Sequence, residues 1–330
     1  MPVIRRIAIV GSGLAGLTAA RLLGERNIAV TVFEKSRGPG GRMAAKRVPG
    51  GSADIGAQYF TARNPAFTRF LANHAGEASF GIWHGRFGYQ KGSEWESFPD
   101  ETRYVGIPRM TAITRGLSSH VDIRAQTRIE QLERDDQSWL LRDANGESHG
   151  PFDTVIITAP PAQAQDIFRT SQLTDLEEKM SDPVRHIQPC WAVAAHFSES
   201  LEQPYEGMRC DDDVLYWVAN NSSKPGREDE GQWWVLHANP EWSRENEDTS
   251  PEQVTADMVS AFQQVTRCKT QPDELIPHRW LYAKSSSRDT PGFRWFDDQR
   301  IGLAGDWLSG GRVEGAFESA LGLAEKILSR

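Results

Sequence analysis

A chain of 330 residues is long enough for two domains with cores of their own, and 38% apolar with 25% charged residues is the composition of a globular protein, not a disordered one. A net charge of −8 with no Lys/Arg block excludes a general nucleic-acid binder, though a local basic pocket for a phosphorylated small molecule stays open. Cys190, Cys210 and Cys268 stand apart, without disulfide or metal-site spacing, and no apolar run reaches the roughly 18 residues of a membrane span. With no room for a signal peptide before the first strand, a cytoplasmic protein with reduced thiols, no metal and no membrane partner is expected; the oligomeric state is not legible.

In chain order, residues 7–10 form a short apolar run, followed by Gly11, Gly13 and Gly16. Leu14, Leu17, Leu22 and Leu23 then recur at helical spacing, with Ala15, Ala19 and Ala20 between them. A second apolar run, 28–33, ends in Glu34 and Lys35. The pattern predicts strand, tight turn, helix and strand, with unpaired helix amides facing a pyrophosphate. Glu34, 18 residues after Gly16, suits both hydroxyls of a ribose and disfavours a 2′-phosphate.

Gly38, Gly40, Gly41, Arg42 and Met43 follow, then residues 52–59 with Gly56, Ala57, Gln58 and Tyr59. The glycines permit close backbone approach, and Arg42 offers a planar donor fork to phosphate oxygens. This stretch resembles the second signature of the amine-oxidase-like flavoproteins. The resemblance implies that Glu34 holds the adenosine ribose, that Arg42 helps neutralise phosphate, and that residues 54–58 pass near the flavin.

Residues 65–75 predict a helix, 82–87 short strands or a hairpin, and 110–117 a helix. Strands are expected at 121–123, 128–132, 138–141 and 152–157, the last running into Pro160 and Pro161. Helical turns at 161–168 and 173–180 precede strands at 188–197, 214–218 and 232–238. Residues 220–231 read as a polar loop. Ser250 caps a helix through Val265, with Pro251 at its first position, and 275–283 is a strand. Residues 301–304 form a short strand ending in Gly305 and Asp306. A helix through Ile327 then opens after Arg312, with Val313 and Ala316 in its first turn. Its N-terminus suits negative charge on a reduced flavin.

The whole chain resembles the renalase family within the amine-oxidase-like FAD superfamily. The expected fold is therefore α/β: a Rossmann-like FAD-binding domain of the amine-oxidase/hydroxylase type (1–60, 105–180 and 285–330) with an inserted α+β substrate domain containing a mixed sheet (61–104 and 181–284). The resemblance implies noncovalent FAD held by Gly11, Gly13, Leu14, Ala15, Gly16, Glu34, Lys35, Gly41, Arg42, Met43, Gly56, Ala57, Gln58, Tyr59, Gly305, Asp306, Arg312, Val313 and Ala316. It also implies oxidation of 2- and 6-dihydroNAD(P) isomers to NAD(P)+, with hydride passing to flavin N5 and O2 reduced to hydrogen peroxide.

Candidate catalytic residues are Asn220 (or its neighbour Asn221), His237, Trp242, Trp280 and Lys284. His237 matches a pocket histidine of the family, but a histidine on an apolar strand is otherwise a satisfied core residue. Lys284 is either the lysine that many amine oxidases keep near flavin N5 or a solvated strand-end residue. Arg209, Arg279 or Arg288 would serve a substrate phosphate. The competing enzyme reading is an oxidase of small amines; a flavin-binding protein without turnover is the reading from another class.

Overall fold

The structure, a computed structural model, describes residues 4–92 and 94–329. Residues 1–3, 93 and 330, which the expected domain spans include, lie outside the described residues. Strands Arg6–Val10, Ala29–Phe33, Asp122–Arg124, Thr154–Ile157 and Ile301–Leu303 are parallel, and Arg294–Phe296 is added antiparallel at one edge. The central strand lies between Ala29–Phe33 and Thr154–Ile157, and Ile7, Ala8 and Ile9 are fully buried. Such a strand needs apolar residues on both faces, hence a continuous run and not an alternation.

Helix Leu14–Gly24 has no side-chain cap, leaving the amides of its first turn to a ligand. Gly16 is required for packing: a Cβ there would lie 2.0 Å from the Gly11 carbonyl oxygen. The C-terminal helix Val313–Leu328 covers Leu14–Gly24 on the same face of the sheet. A three-stranded antiparallel sheet, Ile129–Asp135, Ser138–Asp143 and Ser148–Phe152, branches off before Thr154–Ile157.

The second large sheet is mixed. Its order is Glu274–Ser285, Ile187–Phe197, Gln232–Ala238, Leu215–Asn220, Gly207–Arg209, Phe87–Lys91 and Glu94–Ser97; only the pairing of Gly207–Arg209 with Phe87–Lys91 is parallel. Helix Pro251–Thr266, capped by Ser250 through the Gln253 amide, covers its back. Alternation sets the two faces. Trp191, Val193, Trp234 and Leu236 point to that helix, whereas Ala194, Trp233 and Val235 pack forward against Val48, Ala53 and Ile55.

Several local expectations need correction. Residues 82–87 do not form a hairpin but lie between two short strands of different sheets: Phe80–Ile82 pairs with Tyr104–Gly106, Phe87–Lys91 joins the mixed sheet, and Trp83 between them is buried, its backbone amide donating to the Arg103 carbonyl. The helix expected over 173–180 is broken into Thr174–Glu178 and Ser181–Arg185. A short helix, Pro240–Glu245, for which no element was expected, follows strand Gln232–Ala238. Residues 220–231 open with a 3-10 turn, Asn221–Ser223, and are not a solvated loop throughout, because Asn221 and Lys224 are buried.

Candidate active site

A cavity of about 2040 Å³ lies between the C-terminal ends of the parallel strands and the front face of the mixed sheet. Every residue expected from sequence to hold a cofactor lines it except Gly16, whose part is the close packing described above.

At the nucleotide end, Glu34 is buried and already oriented. Its Oε2 accepts from the Ser12 amide at 2.9 Å and the Ser12 hydroxyl at 2.8 Å, and Oε1 accepts from the Ser36 amide at 2.8 Å. Lys35 beside it is exposed in part; desolvation, then Arg128, lowers its pKa. Next along the cavity, Gly13 and Gly41 meet back to back. Gly41 has φ +52°, and a Cβ on it would stand 3.3 Å from the Gly13 Cα, closing the cradle. Arg42 forms a two-bond pair with Asp306, one bond being Nη1 to Oδ2 at 2.9 Å. The arginine expected to face phosphate is therefore oriented by Asp306, itself expected to hold the cofactor. These residues fit a flavin dinucleotide: an oriented ribose carboxylate, a side-chain-free channel and a helix start without a cap.

On the side of the mixed sheet, residues 54–59 form a wall fastened from both faces. On one face His237 Nε2 lies 2.9 Å and Trp280 Nε1 3.0 Å from the same carbonyl oxygen, that of Ile55. A carbonyl only accepts, so His237 carries its proton on Nε2 and leaves Nδ1 as the ring's acceptor. Burial, against the Ile55 bond and aided by Lys224, lowers its pKa to about 4, so the ring is neutral at pH 7.

Behind the wall, Lys224 is fully buried. Its Nζ donates to Asp54 Oδ2 at 3.2 Å, Gln58 Oε1 at 3.2 Å and Asn221 Oδ1 at 3.4 Å, and it lies 5.2 Å from the centre of the Trp83 ring. Arg227 Nη2 donates to the same Asp54 oxygen, and the Met110 amide donates to the other. Burial alone would raise the Asp54 pKa, but Lys224 and Arg227 together hold its carboxyl below the usual range. Burial takes Lys224 down to about 8.

The remaining candidates scatter. Trp242 is not in the site; it packs in the apolar cluster between the mixed sheet and helix Pro251–Thr266, because helix Pro240–Glu245 turns behind the sheet. Neither asparagine lines the cavity. Asn221 is spent on the Asp54 amide and the Ser52 carbonyl, and the Asn220 side-chain oxygen is buried without a partner. Lys284 is exposed at the cavity rim. There Arg209 and Lys284 lie 5.5 and 5.9 Å from the centre of the exposed Tyr216 ring. Arg279 is held by the Glu247 carbonyl and over Trp191, and Arg288 does not line the cavity.

Lys224, Arg227 and Tyr216 were not singled out by sequence reasoning. The available signal was Asp54 within an apolar stretch, since a buried carboxylate demands a cation, though not one at an identifiable position. The thiol of Cys190, which lines the cavity, is pushed up to about 12 by burial.

Residues 98–328 match the model for flavin containing amine oxidoreductases, and residues 9–73 match the NAD(P)-binding Rossmann-like domain. The chain belongs to the flavin containing amine oxidoreductase family. Its architecture is thus an α/β, Rossmann-like FAD-binding domain with an inserted mixed-sheet substrate domain.

Curated relatives match only short stretches. Hydroxyneurosporene desaturase of Rubrivivax gelatinosus is 45% identical over 58 residues, 18% of this chain and 11% of that protein. Coproporphyrinogen III oxidase of Staphylococcus aureus is 35% identical over 66 residues, 19% and 14%. Solved structures cover the whole chain at low identity. A provisionally assigned protoporphyrinogen oxidase from Exiguobacterium sp. 255-15 superposes with a TM-score of 0.77 at 13% identity over 99% of both chains. Wild-type putrescine oxidase bound to putrescine does so with 0.71 at 12% over 100% of both. These likenesses concern the fold alone. No helix among the described residues is long and apolar enough to cross a membrane.

Proposed function

We propose that this family member is a renalase-like oxidase of 2- and 6-dihydroNAD(P), returning NAD(P)+ and using O2 as the second substrate. The observation that carries this reading is the charge of the cavity rim. Arg209, Lys284 and Arg312 line it, all exposed, and none has an ion-pair partner among the described residues. Such a rim attracts a pyrophosphate and repels an ammonium ion. The cavity residues would hold FAD without a covalent bond, and it would supply two-electron acceptor chemistry there, with O2 as final oxidant and hydrogen peroxide as its product. The chain's own residues orient and exclude. Trp280, Trp217 and Tyr59 offer flat apolar faces, and neutral His237 offers an acceptor for an amide N–H of the substrate. No strong base is required, because a dihydropyridine gives up hydride readily as its ring becomes aromatic. In this reading residues 61–104 and 181–284 form the substrate domain, and the protein works in the cytoplasm.

A second reading, an oxidase of small amines, is favoured by the family's own description and by the likeness to putrescine oxidase. Anaerobic mixing with 2-dihydroNAD, 6-dihydroNAD and a panel of small amines separates the two. Rapid flavin bleaching by the dihydronicotinamides is expected. Bleaching by amines alone would replace the first reading with the second. In addition, Arg209→Glu should raise KM for the dinucleotide about ten-fold at low salt and leave kcat nearly unchanged.

A further inference from the structure

The wall that faces the substrate is backed by a cluster whose charges do not cancel. Asp54 is one carboxylate; Lys224 and Arg227 are two cations on it, all three buried. Among the described residues no second acid bonds to either cation. Proteins seldom bury an uncompensated cation, because the desolvation cost is several kcal/mol. Here Lys224 is held by a full set of bonds, whereas Arg227 keeps its Nε buried without a partner. The three donors of the Lys224 ammonium go to Asp54, Gln58 and Asn221, and Trp83 presents its ring face. Arg227 Nη1 is tied to the carbonyls of Gly106 and Pro225.

The cluster reaches the cavity by one step. Gln58 lines the cavity, accepts from Lys224, and returns its amide N–H groups to the carbonyls of Asp54 and Gly56. Its side chain is thereby pinned, and the positive charge sits directly behind it. Ile55, the next residue after Asp54, carries the carbonyl that fastens His237 and Trp280.

We propose that Lys224 is a positioning residue of the oxidase site. It locks Gln58 and the 54–59 wall and, with Arg227, places one fixed excess positive charge behind that wall, favouring negative charge in the cavity and a neutral His237. The proposal rests on this cavity being the FAD site, not on which substrate enters it. Low-dielectric surroundings make such a charge count for more than the exposed rim cations do.

Three variants of the FAD-bound protein test it. Lys224→Met leaves Asp54 and Arg227 as a neutral pair. Asp54→Asn combined with Lys224→Met returns the excess charge through Arg227. Arg227→Met removes the same charge but keeps every Lys224 contact. The readouts are the midpoint potential of bound FAD, by dye equilibration, and the His237 titration, by NMR of the imidazole. In Lys224→Met the reduced form should lose at least ten-fold in its equilibrium with the oxidised form, about 30 mV lower for a two-electron couple. The His237 midpoint should rise by about one pH unit. Arg227→Met should lower the potential comparably, and the double variant should return it close to wild type. An unchanged potential and an unchanged His237 midpoint in Lys224→Met would overturn the proposal. Should that variant fail to fold or to retain FAD, the same null result in Arg227→Met overturns it equally. Loss of activity toward dihydronicotinamides with the potential shifts intact would count against the substrate reading alone.

Discussion

At the nucleotide end of the cavity, residues 6–34 bring a strand, a turn, a helix start and an oriented carboxylate together within one contiguous stretch. At the wall on the mixed-sheet side, Asp54 meets Lys224 and Arg227 across 170 and 173 residues of chain. The first region is a local solution: each residue type follows from what its neighbours in sequence do. The second is a tertiary one, in which charges that look solvated in sequence are buried by elements folded far from them. The first should therefore fail through backbone geometry and the second through charge and protonation.

The largest effect is expected where backbone leaves no room. Gly16→Ala puts a methyl 2.0 Å from the Gly11 carbonyl oxygen, so the strand-turn-helix unit must open. A loss of about 3 kcal/mol or more in stability is expected, together with loss of FAD. Yellow protein with a wild-type thermal midpoint would break the contrast at its strongest point.

The second region should show itself in acid. His237 has its pKa lowered from 6.5 to about 4 in the folded chain. Below pH 6.5 the unfolded chain binds a proton that the folded one refuses until about pH 4, so stability falls as pH drops through that window. With one edge of the ring on the cavity, the loss is about 2–3 kcal/mol. His237→Gln, whose amide can still donate to Ile55, should flatten this part of the stability–pH curve from urea unfolding. An unchanged slope would mean that the imidazole is not held neutral.

Arg42 belongs to the first region but is oriented from the last part of the chain. Arg42→Gln should weaken FAD about ten- to hundred-fold by fluorescence titration, as expected for losing a charge-assisted contact while leaving Asp306 uncompensated. Unaltered affinity would make the pair a structural contact only. The smallest functional effect is expected from Trp242→Leu. It should cost about 1–2 kcal/mol of stability through the back cluster and leave the rate of anaerobic flavin reduction as it was. A slowed reduction would return that tryptophan to the site.

Legibility followed the same division. The glycines apart from Gly16, Glu34, Arg42 and the Gly305–Asp306 turn were readable as the lining of one cavity because a tight turn, a carboxylate closing a strand and a helix start each require particular residue types at short spacing. His237 and Trp280 were nameable, but not their shared Ile55 carbonyl. Trp242 and the asparagines misled because a residue's type does not say which face of a sheet it joins. A helix beginning at Pro240 carries Trp242 behind the sheet, and Asn221 is consumed by backbone groups at 52 and 54.

Periodicity and turn chemistry marked the parallel strands, their covering helices and the glycine-lined channel between them, since those forces act within a few residues. Which polar groups lie buried, which cation meets Asp54 and which face of each strand looks into the cavity were decided only on assembly. Electrostatic pairing and desolvation depend on distances in space, and those come into being when remote segments pack.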